Sequence, residues 1–329
     1  MLNLNGRWLY KLLIALICIL AANLGIAAPP PGPVTIIMPF PAGGPYDAVA
    51  RALAEQLTNI WRIPVVVDNR TGAGGRIGTQ YVVRAKPDGT ILLLNSGSLL
   101  AVQNALFKNM PYNPSTDLRA ISGIANLPLL FVANPKLDAR NFSEFINLAR
   151  RNPGKISVGS AGIGSGIHGV LELMQADTGV QILHVPYRGS SPSVLAIMAG
   201  DVDVILDVPT ASIQHVKEGK LRALAITGPV RMVALPNVPT VSESGFPNLT
   251  SLSWLGLFAP KGTPDDVVQS IDSDVRTAFR NPAFVAAIEK IDITPAYQNH
   301  QQVTQFLASE VKRFSDAAKK LGLEPIDVQ

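Results

Sequence analysis

The chain has 329 residues, 47% of them hydrophobic and 16% charged, enough for two ordinary domains with substantial cores. Its 28 basic and 24 acidic residues leave a formal net charge of only +4. No Lys/Arg run or aromatic-interleaved basic stripe is present, which argues against a nucleic-acid partner.

The amino terminus reads as a secretory signal peptide over residues 1–27. Arg7 and Lys11 supply the positive start, an uncharged apolar run extends from Leu12 to Ala28, and Gly25 and Ala27 place small residues at the cleavage positions. An uncleaved anchor is the alternative, since the run is nearly long enough to span a bilayer. The only cysteine, Cys18, lies inside that run, so the mature chain is expected to carry no disulfide, thiol nucleophile or thiolate metal site.

Short apolar runs then alternate with amphipathic ones. Strands are expected at 34–40, 65–69, 90–95, 129–134, 156–160, 182–187, 202–208 and 221–227. Several are apolar at successive positions, the pattern of strands buried on both faces of a parallel sheet. Helices are expected between them. DAVARALAEQLTNI (47–60) puts Val49, Leu53, Leu57 and Ile60 on one face. SEFINLARRN (143–152) begins at Ser143, which has the chemistry of a cap. SPSVLAIMAG (191–200) and PTASIQHVKEG (209–219) start near proline and end on glycine. Two longer helices follow, PDDVVQSIDSDVRTAFRN and HQQVTQFLASEVKRFSDAAKKLG. Such alternation predicts an α/β fold of two lobes, with lobe one discontinuous (34–129 and 229–329) and lobe two inserted (130–228).

Glycine-rich segments join several strands to helices: PFPAGGPYD (39–47), DNRTGAGGRIGT (68–79), NSGS (95–98) and GSAGIGSGIHG (159–169). Ligands of open parallel sheets sit beyond the strands' carboxyl ends. A glycine loop leading into a helix offers unpaired amides and a partial positive charge, so it holds an anion without Arg or Lys. One such loop in each lobe makes a two-jawed anion cleft. The competing role for these glycines is simply to make tight turns.

Gly164 to Gly169 also spells the dinucleotide fingerprint G-x-G-x-x-G. Its confirming context fails. The following strand ends in Tyr187 and Arg188 where a ribose-binding acid belongs, and the motif begins several residues after its strand. No G-x-S-x-G elbow is present, and the histidines 168, 184, 215 and 300 show no metal-ligand spacing. Neither an enzyme, a metal nor a cofactor is expected. His184, in an apolar strand, reads as a satisfied buried histidine.

VTIIMPFPAGGPYDAVAR, VVVDNRTGAGGRIGT, NPGKISVGSAG, HVPYRGSSPSVLAIMAGDVDVILD, GKLRALAIT, LPNVPTVSESG and WLGLFAP occur in order along nearly the whole mature chain. In these segments the sequence resembles the Bug/TctC family of periplasmic solute-binding proteins. The resemblance implies a two-lobed Venus-flytrap fold of the type II periplasmic binding class, each lobe a mostly parallel sheet flanked by helices. It also implies a monomeric periplasmic protein that delivers a small carboxylate to the large and small membrane subunits of a tripartite tricarboxylate transporter. A ligand sensor docking to a receptor is the alternative, and an enzyme on the same fold a more distant one.

Carried over residue by residue, the resemblance implies ligand contacts from Phe40, Ala42, Gly43, Gly44 and Asp47 in the first loop. Ser96 and Ser98 follow strand three. Ser160, Gly162, Gly164, Ser165 and His168 belong to the lobe-two loop, Tyr187 to the V-P-Y-K-G segment and Asp207 to the end of V-D-V-x-x-D. Bland roles stand beside these. Asp47 fits a helix cap equally well, and Asp207 fits either a cap or a partner for a ligand amine. Tyr187 fits plain packing, and His168 fits a helix-start residue bonded to its loop. The chain departs from the family at Ile163, usually polar, at Gly166-Ile167, commonly polar-then-proline, and at Pro45-Tyr46, often Gly-Thr or Gly-Ser. These changes favour a ligand with an apolar body and a cleft narrowed by Tyr46.

Overall fold

A computed structural model describes residues 30–327. The signal-peptide expectation and Cys18 lie outside the described residues.

The chain runs β1 (Val34–Met38), α1 (Pro45–Trp61), β2 (Val65–Asn69), α2 (Arg76–Val83), β3 (Ile91–Ser96), α3 (Gly97–Leu106), β4 (Phe107–Lys108) and α4 (Pro114–Asp117). Next come β5 (Leu118–Pro128), β6 (Leu130–Ala133), α5 (Phe142–Arg151), β7 (Ser157–Ser160), α6 (Gly166–Thr178), β8 (Leu183–Pro186), α7 (Ser190–Ala199), β9 (Val204–Asp207), α8 (Pro209–Lys217) and β10 (Arg222–Ile226). β11 (Leu252–Pro260), α9 (Asp265–Ala278), α10 (Pro282–Glu289), β12 (Thr294–Gln298), α11 (His300–Leu321) and β13 (Ile326–Asp327) complete it.

Two large sheets form, one per lobe, and β13 pairs parallel with β4 in a small third one. Lobe one has the order β12-β5-β11-β3-β1-β2 and lobe two the order β10-β6-β9-β7-β8. The two-lobed α/β architecture is the one expected, but the sheets are mixed and not mostly parallel. β1, β2 and β3 pair parallel, while β11 pairs antiparallel with both β3 and β5. In lobe two, β7 pairs parallel with β8 and β9, while β6 pairs antiparallel with β9 and β10. β6 and β11, the first strands after the two passages between the lobes, run against the parallel strands of their sheets, and so does β12 at the edge of lobe one. β1, β2 and β3, and likewise β7, β8 and β9, are joined through helices and come out parallel, whereas a chain that returns from the other lobe needs no such crossover.

Local chemistry explains the element ends. α1 starts with Pro45 at its first turn, buries Val49, Leu53, Leu57 and Trp61, and stops at left-handed Arg62, whose amide bonds Thr58. Trp61 donates through Nε1 to Asp274 at 2.7 Å, tying α1 to α9. α5 is capped by Asn141, not by Ser143, which instead donates to the Ser244 carbonyl. α11 opens on a capping box between Asn299 and Gln302.

The two main crossings lie side by side at Leu129 and Thr227. The Thr227 amide donates to the Leu129 carbonyl at 2.9 Å, and the Leu129 amide donates to Thr227 Oγ1 at 2.9 Å. The Ser251 amide, just before β11, donates to the Thr227 carbonyl at 2.8 Å. Thr227 is fully buried and therefore ties three segments of the interlobe connection. Thr227→Val keeps the shape but strands the Leu129 amide, at a cost of about 1–3 kcal/mol. Urea denaturation is expected to show that loss, and an unchanged midpoint would remove Thr227 from this role.

α6 belongs to lobe two by its neighbours in sequence, yet its Leu173 and Ala176 join the apolar cluster of lobe one around Leu100, Trp254 and Phe314. The end of lobe two that carries the 159–169 loop is thereby packed against lobe one.

Candidate functional site

In the lobe-one loop, Asp47 is 2% exposed and its carboxylate is fully engaged. Oδ2 accepts from the Gly43 amide and from Arg51 Nε, both at 2.9 Å, and Oδ1 accepts from Asn69 Nδ2 at 2.8 Å. Burial alone would raise its pKa. The hydrogen bonds from Arg51, Gly43 and Asn69 outweigh burial, and the pKa is lowered. Asn69 also donates to the Phe40 carbonyl at 3.0 Å. Asp47 thus shapes the loop from within. Ala42 and Gly43 are exposed on it, and Gly44 caps α1 without any side-chain bond.

Tyr46 leaves this loop toward β11. Its ring meets Phe40 edge-on at 4.8 Å, and its hydroxyl lies 3.1 Å from Ser253 Oγ. Ser253 Oγ is 3.4 Å from Ser96 Oγ, the N-cap of α3, which accepts from the Leu99 amide. The hydroxyls of Tyr46, Ser253 and Ser96 therefore form a chain linking the amino termini of α1 and α3. Ser98 points elsewhere and donates to the Leu252 carbonyl at 3.0 Å.

The lobe-two loop is held by its own side chains. Ser160 is fully buried; its Oγ accepts from the Gly162 amide and lies 2.7 Å from His184 Nε2. Ser165 caps α6 by accepting from the His168 amide, and its hydroxyl donates to the Gly162 carbonyl at 2.7 Å. His168 Nδ1 accepts from the Gly164 amide at 3.2 Å, which places the proton on Nε2, facing Glu172 Oε1 at 3.1 Å. The His168 and His184 rings stack at 4.3 Å. Burial and then the neighbouring His168 push His184 down to about 4, against the pull of Glu172, so its imidazole is neutral at pH 7. His168 is thus a helix-start residue bonded to its loop, and His184 is a satisfied, partly buried histidine. With Ser165 and Ser160 they set the loop's shape and leave Ile163 exposed at its tip.

The loops of the two lobes meet. A Cβ added at Gly166 would lie 3.3 Å from the Ser98 Cβ, and one added at Gly164 would press into the Phe107 ring. Ser96 and Ser165 cap only the third amides of α3 and α6, leaving the first-turn amides ahead of them uncapped. α1 has no side-chain cap. Three helix amino termini from two lobes converge here, and the field at that point favours an anion.

Asp207 ends β9 at the same side of lobe two, 1% exposed. The helix that follows is capped at Val208 without a side-chain bond, so Asp207 is not its cap. Tyr187, half-buried, packs with the lobe-two apolar cluster, and its amide donates to the Ser160 carbonyl. Sequence reasoning missed Ser253. It sits in an antiparallel strand with no glycine loop, and its only trace is the alternation of Ser251 and Ser253 with apolar residues. A groove of about 550 Å³ lined by Arg70, Tyr81, Arg84 and Lys86 lies along α2 and shares no residue with these three loops.

Residues 49–323 match the family described as the tripartite tricarboxylate transporter family receptor, TctC. The protein BugT of Bordetella pertussis is 36% identical over 317 residues, covering 94% of this chain and 97% of BugT. Two solved structures from Rhodopseudomonas palustris share the fold. One, determined with adipate, superposes with a TM-score of 0.79 at 30% identity, covering 90% of this chain and 99% of its own. The other, MatC with bound malate, gives 0.75 at 28% identity, covering 88% and 99%. The matched family is one of transport receptors and not of enzymes. The chain belongs to the TctC family of periplasmic solute-binding receptors.

Proposed function

We propose that the protein, exported to the periplasm by a cleaved signal peptide, captures a small carboxylate between its lobes and delivers it to the membrane subunits of a tripartite tricarboxylate transporter. One observation carries this reading. The amino termini of α1, which has no side-chain cap, and of α3 and α6, whose serine caps reach only the third amide, converge from opposite lobes beside the hydroxyl chain of Tyr46, Ser253 and Ser96. Such a cradle neutralises a carboxylate with backbone dipoles and neutral donors. The relatives found with adipate and malate point to the same ligand class.

Tyr46 and Ile163 set the size of the cleft in this reading. Tyr46 fills space beside Ser253, and Ile163 offers an apolar surface at the rim. A thermal-shift screen of di- and tricarboxylates, acidic amino acids and aromatic acids tests the reading. Ligand at a hundredfold excess over its Kd stabilises by about 2.7 kcal/mol, several degrees in Tm. If no carboxylate moves the transition, the proposal fails.

A further inference from the structure

Among the described residues, three buried polar atoms near the end of β9 have no hydrogen-bond partner: Asp207 Oδ2, Ser193 Oγ and Ser212 Oγ. Asp207 is the charged one. Burial pushes its carboxyl up to about 6, and the nearby Ser190 and Ser212 hydroxyls and the Val208 amide only partly offset this. A buried acceptor without a donor is costly, and native proteins rarely leave one unmade unless something else supplies the partner.

The direction in which Asp207 faces follows from the strands. β9 is parallel to β7, whose carboxyl end opens into the 161–165 loop that meets lobe one. Asp207 therefore stands at the ligand end of lobe two. Tyr46, across the cleft on lobe one, registers it. The Tyr46 hydroxyl is raised first by its own burial, lowered by the Ser253 bond, and raised again by the Asp207 carboxylate. The acid and the phenol thus lie within electrostatic reach across the interlobe space, with the anion cradle beside them.

A cleft built for carboxylates gains nothing from a carboxylate of its own unless the ligand answers it. Facing a bare carboxylate, ionised Asp207 repels. Facing a hydroxyl or an ammonium group, it accepts a charge-assisted hydrogen bond. We propose that Asp207 selects among carboxylates, admitting those that also carry a hydrogen-bond donor, hydroxyl or ammonium, directed at its free oxygen. This rests on the carboxylate-capture reading above and adds the donor requirement to it. Donor-free acids that match in length and carboxylate count are discriminated against, because they leave Oδ2 buried and unpaired.

Matched triads test this on the mature protein by calorimetry at about pH 8, where Asp207 is ionised and the amino acids keep their ammonium groups: succinate, malate and aspartate; glutarate, 2-hydroxyglutarate and glutamate; 3-phenylpropionate, 3-phenyllactate and phenylalanine. Within the triad that binds, a donor-bearing member is expected to bind at least about tenfold tighter than the donor-free acid. Asp207→Asn, which keeps the shape and can itself donate, is expected to narrow that ratio to within about threefold, chiefly by improving the donor-free acid. Equal affinities in the wild type would overturn the selectivity while leaving carboxylate capture intact. Once the pH is lowered and Asp207 is protonated, donor-free acids are expected to bind nearly as well as their partners, and a preference unchanged by pH would take Asp207 out of the selection. If no member of any triad binds, capture itself fails and the donor requirement falls with it. Should Asp207→Asn not fold, the wild-type ratio alone decides.

Discussion

Gly97→Val is expected to destabilise the protein by roughly 3 kcal/mol, the upper end of the usual cost of overpacking a core. Gly97 is the first residue of α3, immediately after β3, and its backbone runs directly beneath the Trp254 indole. A Cβ built there would overlap the ring at three of its atoms. The indole has nowhere to retreat. Trp254 is 1% exposed and is flanked by Phe258 at 6.2 Å and Phe306 at 5.2 Å between ring centroids. Relief must come from moving α3 off β11, and that carries Ser96 away from Ser253. Stability and ligand binding should therefore fall together. Urea denaturation reads the first as a lowered midpoint at constant slope. A midpoint within experimental scatter of the wild type would show that the Trp254 pocket yields and that this account of α3 is wrong.

Buried parallel strands and the loops after them were legible because each is a continuous apolar run ending in glycine. Val34–Met38, which reaches α1 through the loop Pro39–Gly44, and Ile91–Ser96, which leads straight into α3, show this. β5 was not legible. LRAISGIANLP mixes glycine, serine, asparagine and arginine with its apolar residues, so it carries no clean period. Its burial comes from β11 and β12, which lie far along the chain, and no local pattern reports such partners. Ser253 was hidden for the same reason.

Within the site, sequence reasoning identified the residue types but not how they are spent. Asp47 matched a family position and a helix start, and only the fold reveals Asn69 and Arg51 closing around it. His168 and His184 look unrelated along the chain until β8 sets one ring on the other. Asp207 shows the converse. Its position at a strand end was legible, while the absence of a partner for Oδ2 is a property of the packed structure. Satisfied polar groups build the loops, whereas Asp207 Oδ2 has no partner among the described residues. That distinction depends on three-dimensional neighbours, which residue type alone does not encode.

Gly164→Val should weaken carboxylate binding at least about tenfold, equivalent to about 1.4 kcal/mol, while costing global stability less than Gly97→Val does. Gly164 has φ of 75°, a left-handed conformation that costs other residues about 1–2 kcal/mol and suits β-branched ones least. Its Cβ position is also occupied, by the ring of Phe107 on lobe one, which Arg76 covers at 4.8 Å. Valine therefore strains the lobe-two loop and pushes it off lobe one in the same step. The Gly164 amide moves with it and releases His168 Nδ1, so the first turn of α6 loses the brace that aims its amides. The fold tolerates this better than damage at Gly97, since the loop tip is exposed at Ile163 and carries little of the core. Affinity does not, because a ligand held by both lobes pays for whatever fraction of molecules no longer present both jaws. Calorimetry with whichever carboxylate the thermal screen identifies, set beside the melting temperature of the free variant, separates the two effects. Wild-type affinity in a folded Gly164→Val protein would remove the 159–169 loop from the site and leave the lobe-one hydroxyl chain to hold the ligand without it.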